Sequence, residues 1–212
     1  MRLCVTALIS LLFVSIFSFG QTSERFNFGG GAGFTVPTDG AGRHLNTGWN
    51  FDLRGGYNFA PQFAADLDFA YTRSNLNHAT LAFYHEPNGY VSAWSLTFNP
   101  VIKLASRHSP IQPYVTAGYG LYYRNLTLTA PTTVSTLVCD PFFGFCFPAT
   151  VGVNEVVASN SVLKSGFNAG GGFDFRIGQS RMKFFAEARY HQMFTSHGRD
   201  STYVPATFGI HW

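Results

Sequence analysis

Three sets of residues in this chain have types and spacings that could do chemistry. The first is Glu187, Arg189 and His191, placed at alternate positions near the C-terminus. On an extended strand these share one face, and an acid near an imidazole is part of what a hydrolase assembles. The nucleophile is missing, because the next residue on that face is Met193. Ser196 and His197 fall in the loop beyond, with Asp200 close by but at no useful spacing. The second set is the pair Cys139 and Cys146, in the run Cys-Asp-Pro-Phe-Phe-Gly-Phe-Cys. No second Cys or His pair stands near them, so the spacing reads as a local disulfide rather than a zinc site, with two free thiols as the plain alternative. The third set is a balanced group of ionisable residues, Arg54, Asp66, Asp68, Lys164, Asp174, Arg176, Glu187 and Arg189. If one enclosed face holds them all, they must pair with one another.

Other candidates carry less. His44, His78, His85 and His108 are scattered, with no metal-ligand spacing among them. Gly29 to Gly33 is glycine-rich but lacks the Lys-Ser/Thr and the helix that make a phosphate loop. No catalytic, cofactor-binding or metal-binding residue is therefore expected, and no cofactor.

The elements that position these residues are strands. The dominant period is two. Trp49, Phe51, Leu53, Tyr57 and Phe59 alternate with Asn50, Asp52, Arg54 and Asn58. Phe63, Ala65, Leu67, Phe69 and Tyr71 alternate with Asp66 and Asp68, and Trp94, Leu96, Phe98 and Ile102 share the next apolar face. The same pattern recurs at Val115 to Tyr123, Phe167 to Ile177, Phe184 to Tyr190 and Val204 to Trp212. With Phe26 to Phe34 the count is eight. Connections alternate between short ones, near Ala60-Pro61, Ser106 to Pro110 and Gln179-Ser180, and long ones, near Pro37 to Thr47, Ser74 to Gly89, Asn125 to Asn160 and Thr195 to Ser201. Consecutive strands are then antiparallel hairpins, with every long loop at one end. An even strand number lets the sheet close and removes its edges. The expected fold is all-β: an eight-stranded antiparallel up-and-down transmembrane β-barrel with a long loop at 125–160.

Composition and the N-terminus agree with export to a membrane. Met1-Arg2 precedes an apolar run to Phe19, and Ser18 and Gly20 are small residues at the spacing of a signal-peptidase site. Residues 1–20 are expected to be a cleaved signal peptide, leaving 21–212 as one barrel domain. Charged residues make up 12% and aromatics 17% of the chain, an unusual balance for a soluble domain. The net charge of +3, with no Lys/Arg cluster, argues against a nucleic-acid partner.

Alternation does not say which face is inside, and a soluble calyx has the same period. The glycines decide for the membrane. Gly29, Gly31, Gly33, Gly56, Gly118, Gly120, Gly170, Gly172 and Gly209 share the polar parity. They would weaken a wet outer face, but inside a narrow barrel they make room for long polar side chains. A turn centred on Ala60 would set Arg54 opposite Asp66. One centred between Gln179 and Ser180 would set Glu187 opposite Gly172 and Arg189 opposite Gly170.

Four segments resemble the small outer-membrane β-barrel domain family, whose architecture is that of the membrane domain of outer-membrane protein A. They are Pro113 to Gly120, Ser165 to Gly172, Phe184 to Tyr190 and the last strand Tyr203-Val204-Pro205-Ala206-Thr207-Phe208-Gly209-Ile210-His211-Trp212. The resemblance implies that the terminal aromatic Trp212 is read by the barrel assembly machinery, and that the protein lies in the bacterial outer membrane among its lipids. The family shares a barrel and no single activity. Deacylases built on such barrels carry a Ser two positions after the His on the membrane-facing side. Here Met193 holds that place and His191 falls on the inner face, so a lipid-modifying enzyme is the least favoured reading. A non-enzymatic structural or surface-interaction role is expected, with a surface ligand taken through the long loop, and a narrow or gated, porin-like pore for small solutes is the alternative. Phe142, Phe143, Phe145 and Phe147 would form an apolar loop tip that meets a partner, or else folds back on the rim or into outer-leaflet lipid.

Overall fold

A computed structural model describes residues 25–105, 109–142, 144–178, 180–195 and 201–212. The expected signal peptide lies outside these residues, as do His108, Phe143, Ser196, His197 and Asp200. Eight strands follow one another in chain order: β1 (Phe26–Thr38), β2 (Gly48–Asn58), β3 (Phe63–Asn75), β4 (Asn88–Lys103), β5 (Ile111–Cys139), β6 (Cys146–Arg176), β7 (Lys183–Met193) and β8 (Ser201–His211). Each pairs antiparallel with the next, and β1 pairs with β8, so the sheet closes. Trp212 adds a final rung, exchanging backbone hydrogen bonds with Phe28 at 2.9 and 3.0 Å.

The two faces are inverted relative to a water-soluble protein. Leu53, Leu67, Phe98 and Leu121 point outward, each more than half exposed, while Asp52, Arg54, Asp68, Glu187 and Arg189 are buried inside. A hydrocarbon solvent makes this arrangement favourable, since the closed ladder also pairs most of the strand backbone within the sheet. Aromatic rings gather on the outer face near the strand ends. Trp49, Tyr71 and Trp94 pack in sequence as tilted rings at the long-loop end, with centroids 5.2 and 4.5 Å apart. Phe26, Tyr57 and Phe59 meet edge to face at the short-turn end. Such girdles suit the two membrane–water interfaces.

The interior is filled rather than open, and its glycines are the floors under larger side chains. A Cβ on Gly172 would lie 2.7 Å from the Tyr114 hydroxyl oxygen, and one on Gly31 would lie 2.8 Å from the Phe185 ring. A residue larger than glycine at these places would displace the side chains that cross the lumen.

Two expectations need correction. The first is register. Arg54 lies opposite Asp68, and Asp66 lies opposite Gly56. The pairing Asn58↔Ala64 centres the turn on Pro61, not Ala60. Proline has no N–H for a ladder and a preset φ, so it takes the apex. Moving the apex by one residue slides every rung by two and leaves the faces unchanged. The β6–β7 register is as read from sequence, with Gly172↔Glu187 and Gly170↔Arg189.

The second correction is larger. Residues 125–160 are not a loop. β5 and β6 stay paired from Ile111↔Phe175 to Cys139↔Cys146, and the true turn is the short stretch between those cysteines. Pairing of β4 with β5 ends at Asn88↔Thr129, and pairing of β6 with β7 ends at Gly166↔Met193. Beyond Thr129 the two strands therefore pair with each other alone among the described residues. A register shift between Leu128 and Thr129 marks the base of this ribbon, where Val157 has no opposite residue. From Ala130 to Cys139, at about 3.3 Å per residue, the ribbon is about 30 Å long.

Candidate functional site

Two places gather the residues singled out from sequence: the middle of the lumen and the tip of the ribbon.

In the lumen, Glu187 on β7 is the hub. Its carboxylate accepts from Arg54 on β2 (Nη2–Oε1 3.1 Å), from Arg189 on its own strand (Nη2–Oε2 2.9 Å) and from the Tyr114 hydroxyl on β5 (2.8 Å), and Arg189 Nε lies 2.6 Å from Oε1 as an ion-pair contact. The same Arg54 Nη2 also donates to Asp52 at 2.9 Å, with Nε 3.2 Å from that oxygen, and the guanidinium lies over the Phe185 ring, 4.1 Å from its centroid. Arg189 also pairs with Asp68 on β3, and Asn99 on β4 donates to that same carboxylate oxygen at 2.9 Å. The result is a linear chain, Asp52–Arg54–Glu187–Arg189–Asp68. Because β3 and β7 are diametrically opposed in an eight-stranded ring, the Arg189–Asp68 pair spans the lumen. Alternating signs let buried charges neutralise one another, which is the condition for keeping ions out of water.

Other members of the expected network lie elsewhere. Asp66 is buried two residues nearer the short turns, between Gly56 and Asn99. Asp174 lies lower still, 3.5 Å from Lys183 and 3.3 Å from His211 Nε2. Arg176 sits at the exposed end of β6 opposite Lys183. Lys164 is half-buried towards the long-loop end, opposite Tyr122. Sequence reading missed Tyr114, Tyr122, Phe185 and Asn99, which all carry the inward parity. The signal was there, since each stands an even number of residues from an inward glycine or acid. The polar face is read from its charged, amide and glycine residues, and that reading places these rings on neither face.

His191 is enclosed by aromatic rings. Its Nδ1 is 3.1 Å from the Tyr122 hydroxyl, and its ring stacks on Tyr203 with centroids 4.9 Å apart. Met193, Tyr122 and Tyr203 form an apolar cluster around it. Among the described residues no group of three His, Cys, Asp or Glu is placed to hold a metal ion.

Towards the long loops the lumen is capped. Helix α1 (Asp39–Gly42) follows β1, and helix α2 (His78–Tyr84) follows β3. Asn77 caps α2, its side chain accepting from Thr80 N at 2.9 Å. An Asn ahead of His-Ala-Thr-Leu-Ala is a legible helix start, hidden in a segment expected to be plain loop. His44 and Thr80 are hydrogen-bonded at 3.0 Å, and Leu45 bridges Leu76, so the first two long connections are tied together. Beneath them Leu76, Val91 and Leu128 form a buried plug with Leu45, Leu81 and Leu126 around it.

The ribbon has the opposite character. Cys139 and Cys146 are bonded, S–S 2.06 Å, and close the turn. Within it Asp140 N donates to Phe145 O (2.9 Å), Gly144 N to Asp140 O (3.0 Å) and Phe142 N to the Asp140 carboxylate (2.7 Å). Gly144 has φ 71°, the left-handed conformation that glycine takes without strain. Phe142 is 89% exposed, and Phe145 and Phe147 are also exposed, so the tip does not fold back on the rim. One ribbon face carries the pairs Val138/Phe147, Thr136/Ala149, Val134/Val151 and Thr132/Val153.

An inverted eight-stranded barrel with its long connections at one end defines a transmembrane barrel of the bacterial outer membrane. The chain belongs to the outer membrane protein beta-barrel domain family, whose model matches residues 4–211. Among solved structures it is similar to Neisserial surface protein A, with 14% identity, a TM-score of 0.58, and coverage of 88% of this chain and 95% of that one. It is also similar to a major outer membrane protein from Thermus thermophilus, with 10% identity, a TM-score of 0.50, and coverage of 88% and 98%. At such identities the likeness speaks for the fold. No curated protein sequence matches the chain.

Proposed function

We propose that this protein is a closed, non-enzymatic outer-membrane anchor whose working part is the ribbon it displays. The observation that carries the reading is the contrast between the lumen and the ribbon. The lumen is crossed by Asp52–Arg54–Glu187–Arg189–Asp68 and capped by the Leu76/Val91/Leu128 plug. The ribbon is a long, apolar, cross-linked extension with exposed rings at its end. A packed interior supports silence as a pore, and an exposed apolar patch supports a binding role. The non-catalytic reading is supported by the engagement of Glu187 with Arg54, Arg189 and Tyr114 and by the enclosure of His191. Export through a cleaved 1–20 signal, and recognition of Trp212 by the assembly machinery, complete the reading.

The test replaces Ala130 to Val156 by an Asn-Gly turn. The truncated protein should still refold to a heat-modifiable barrel, yet vesicles carrying it should attach to a panel of cell surfaces at least tenfold less than vesicles carrying the intact protein. Equal attachment, or discrete conductance steps from the intact protein in planar bilayers, would overturn the reading.

A further inference from the structure

We infer that the ribbon tip is a membrane-insertion device, and that the surface it engages is a neutral, zwitterionic phospholipid bilayer facing the one that holds the barrel. The inference rests on the surface-interaction reading above and names its partner.

Three independent features point to lipid. From Pro141 to Pro148 the chain carries only Pro, Phe, Gly and Cys side chains, so apart from Asp140, whose carboxylate accepts from Phe142 N, the tip offers no side-chain donor or acceptor. Protein-binding hot spots favour Trp, Tyr and Arg, whose polar ends fix orientation. A tip of bare phenyl rings, with Phe142, Phe145 and Phe147 all exposed, suits hydrocarbon instead. Three backbone N–H groups of the turn also have partners within it. Asp140 N, Phe142 N and Gly144 N all donate inside the turn, and Cys139 and Cys146 hold it closed. Each N–H paired in this way costs less to take out of water.

Charge selects the kind of bilayer. Between Asn125 and Leu163 there is no Lys, Arg or His, while Asp140 and Glu155 are acidic. Anionic surfaces recruit basic clusters and repel acidic ones, so the ribbon fits a surface without net charge. Length selects which bilayer. The tip stands about 30 Å along the ribbon from the last β4 rung at Thr129, about the thickness of a hydrocarbon core. That reach leads away from the lipid already around the barrel.

The full-length protein in nanodiscs would be mixed with phosphatidylcholine vesicles, and its co-sedimentation measured. Wild type should pellet with the vesicles. The double variant Phe142→Ser/Phe145→Ser should do so at least tenfold less, with heat-modifiability unchanged, while Phe83→Ser, at an equally exposed ring on α2, should bind as wild type does. Vesicles rich in phosphatidylglycerol should pellet less protein than neutral ones. A Phe142→Trp probe should be quenched by brominated lipid in the added vesicles and not by brominated lipid in the nanodisc. Absence of wild-type pelleting, equal loss with Phe83→Ser, stronger binding to anionic vesicles, or quenching from the nanodisc side would each overturn the proposal. Ribbon-dependent attachment to cells, lost when their surface proteins are removed by protease and absent from lipid vesicles, would likewise overturn it in favour of a protein partner. That outcome would leave the surface-interaction reading standing.

Discussion

Along β5 and β6 the same two strands pass through two environments, divided at the bulge between Leu128 and Thr129. On the barrel side β5 has β4 as a second neighbour up to Thr129 and β6 has β7 from Gly166 onward, with one face in lipid and the other packed against ion pairs and rings. On the ribbon side each has only the other, and nearly every side chain is exposed. Both stretches are continuous strand, so hydrogen bonding alone does not separate them. What separates them is closure. The barrel locks its rungs by ending on itself, while the ribbon has two open edges and depends on a covalent clasp at its far end.

The largest effect that sharpens this contrast should come from the lumen. Glu187→Gln leaves two guanidinium groups without their shared countercharge. Breaking a buried pair in this way costs about 3–5 kcal/mol. Urea unfolding in vesicles should show that loss, while protease cutting within 130–156 of the folded protein should not change. Unaltered barrel stability would mean that Glu187 is solvated and that the lumen is wetter than described.

A second test compares two glycines on β6. In Gly172→Ala the new methyl meets Ala186 O at 2.5 Å and the Tyr114 hydroxyl oxygen at 2.7 Å. Overpacking of this kind costs about 1–3 kcal/mol. A methyl added to Gly152 in the ribbon would meet nothing within 4 Å, so Gly152→Ala should change stability by about 0.5 kcal/mol or less. Equal effects from the two would erase the distinction between the regions.

The smallest effect on the barrel should come from the disulfide. Reduction, or Cys139→Ser/Cys146→Ser, should leave barrel melting nearly unchanged. It should remove about 2–3 kcal/mol of local order from the ribbon, by the chain-entropy estimate. Limited proteolysis would report this as faster cutting between Ala130 and Val156. A fall in barrel melting would show that the ribbon braces the barrel.

The same division explains what the sequence made legible. Alternation arises where one face of a sheet is buried and the other is not, so the barrel strands could be read directly, from Trp49–Phe59 to Val204–Trp212. The ribbon has no buried face, and its periodicity carries no such signal. Its mark is the density of β-branched residues, Thr132, Thr133, Val134, Thr136 and Val138 against Thr150, Val151 and Val153. That marks strand propensity without saying what the strand packs against. The ion-pair chain was legible in membership at Arg54, Asp68, Glu187 and Arg189 but not in wiring. Wiring depended on Pro61 taking the apex of a turn, and on Arg189 reaching across the lumen to Asp68, which no local pattern encodes. The capping of the mouth by α2 depended on Asn77 and on contacts between two loops distant in sequence.

The most direct measurement is amide hydrogen exchange along β5, in the refolded protein in bilayers without added vesicles. A closed barrel carrying a free ribbon predicts a break at Leu128 and Thr129. Amides from Tyr114 to Leu126 should exchange at least a hundredfold more slowly than those from Thr132 to Val138, although both lie in one unbroken strand. Uniform protection from Ile111 to Cys139 would contradict the account, because the ribbon would then be held by contacts that a free hairpin does not have.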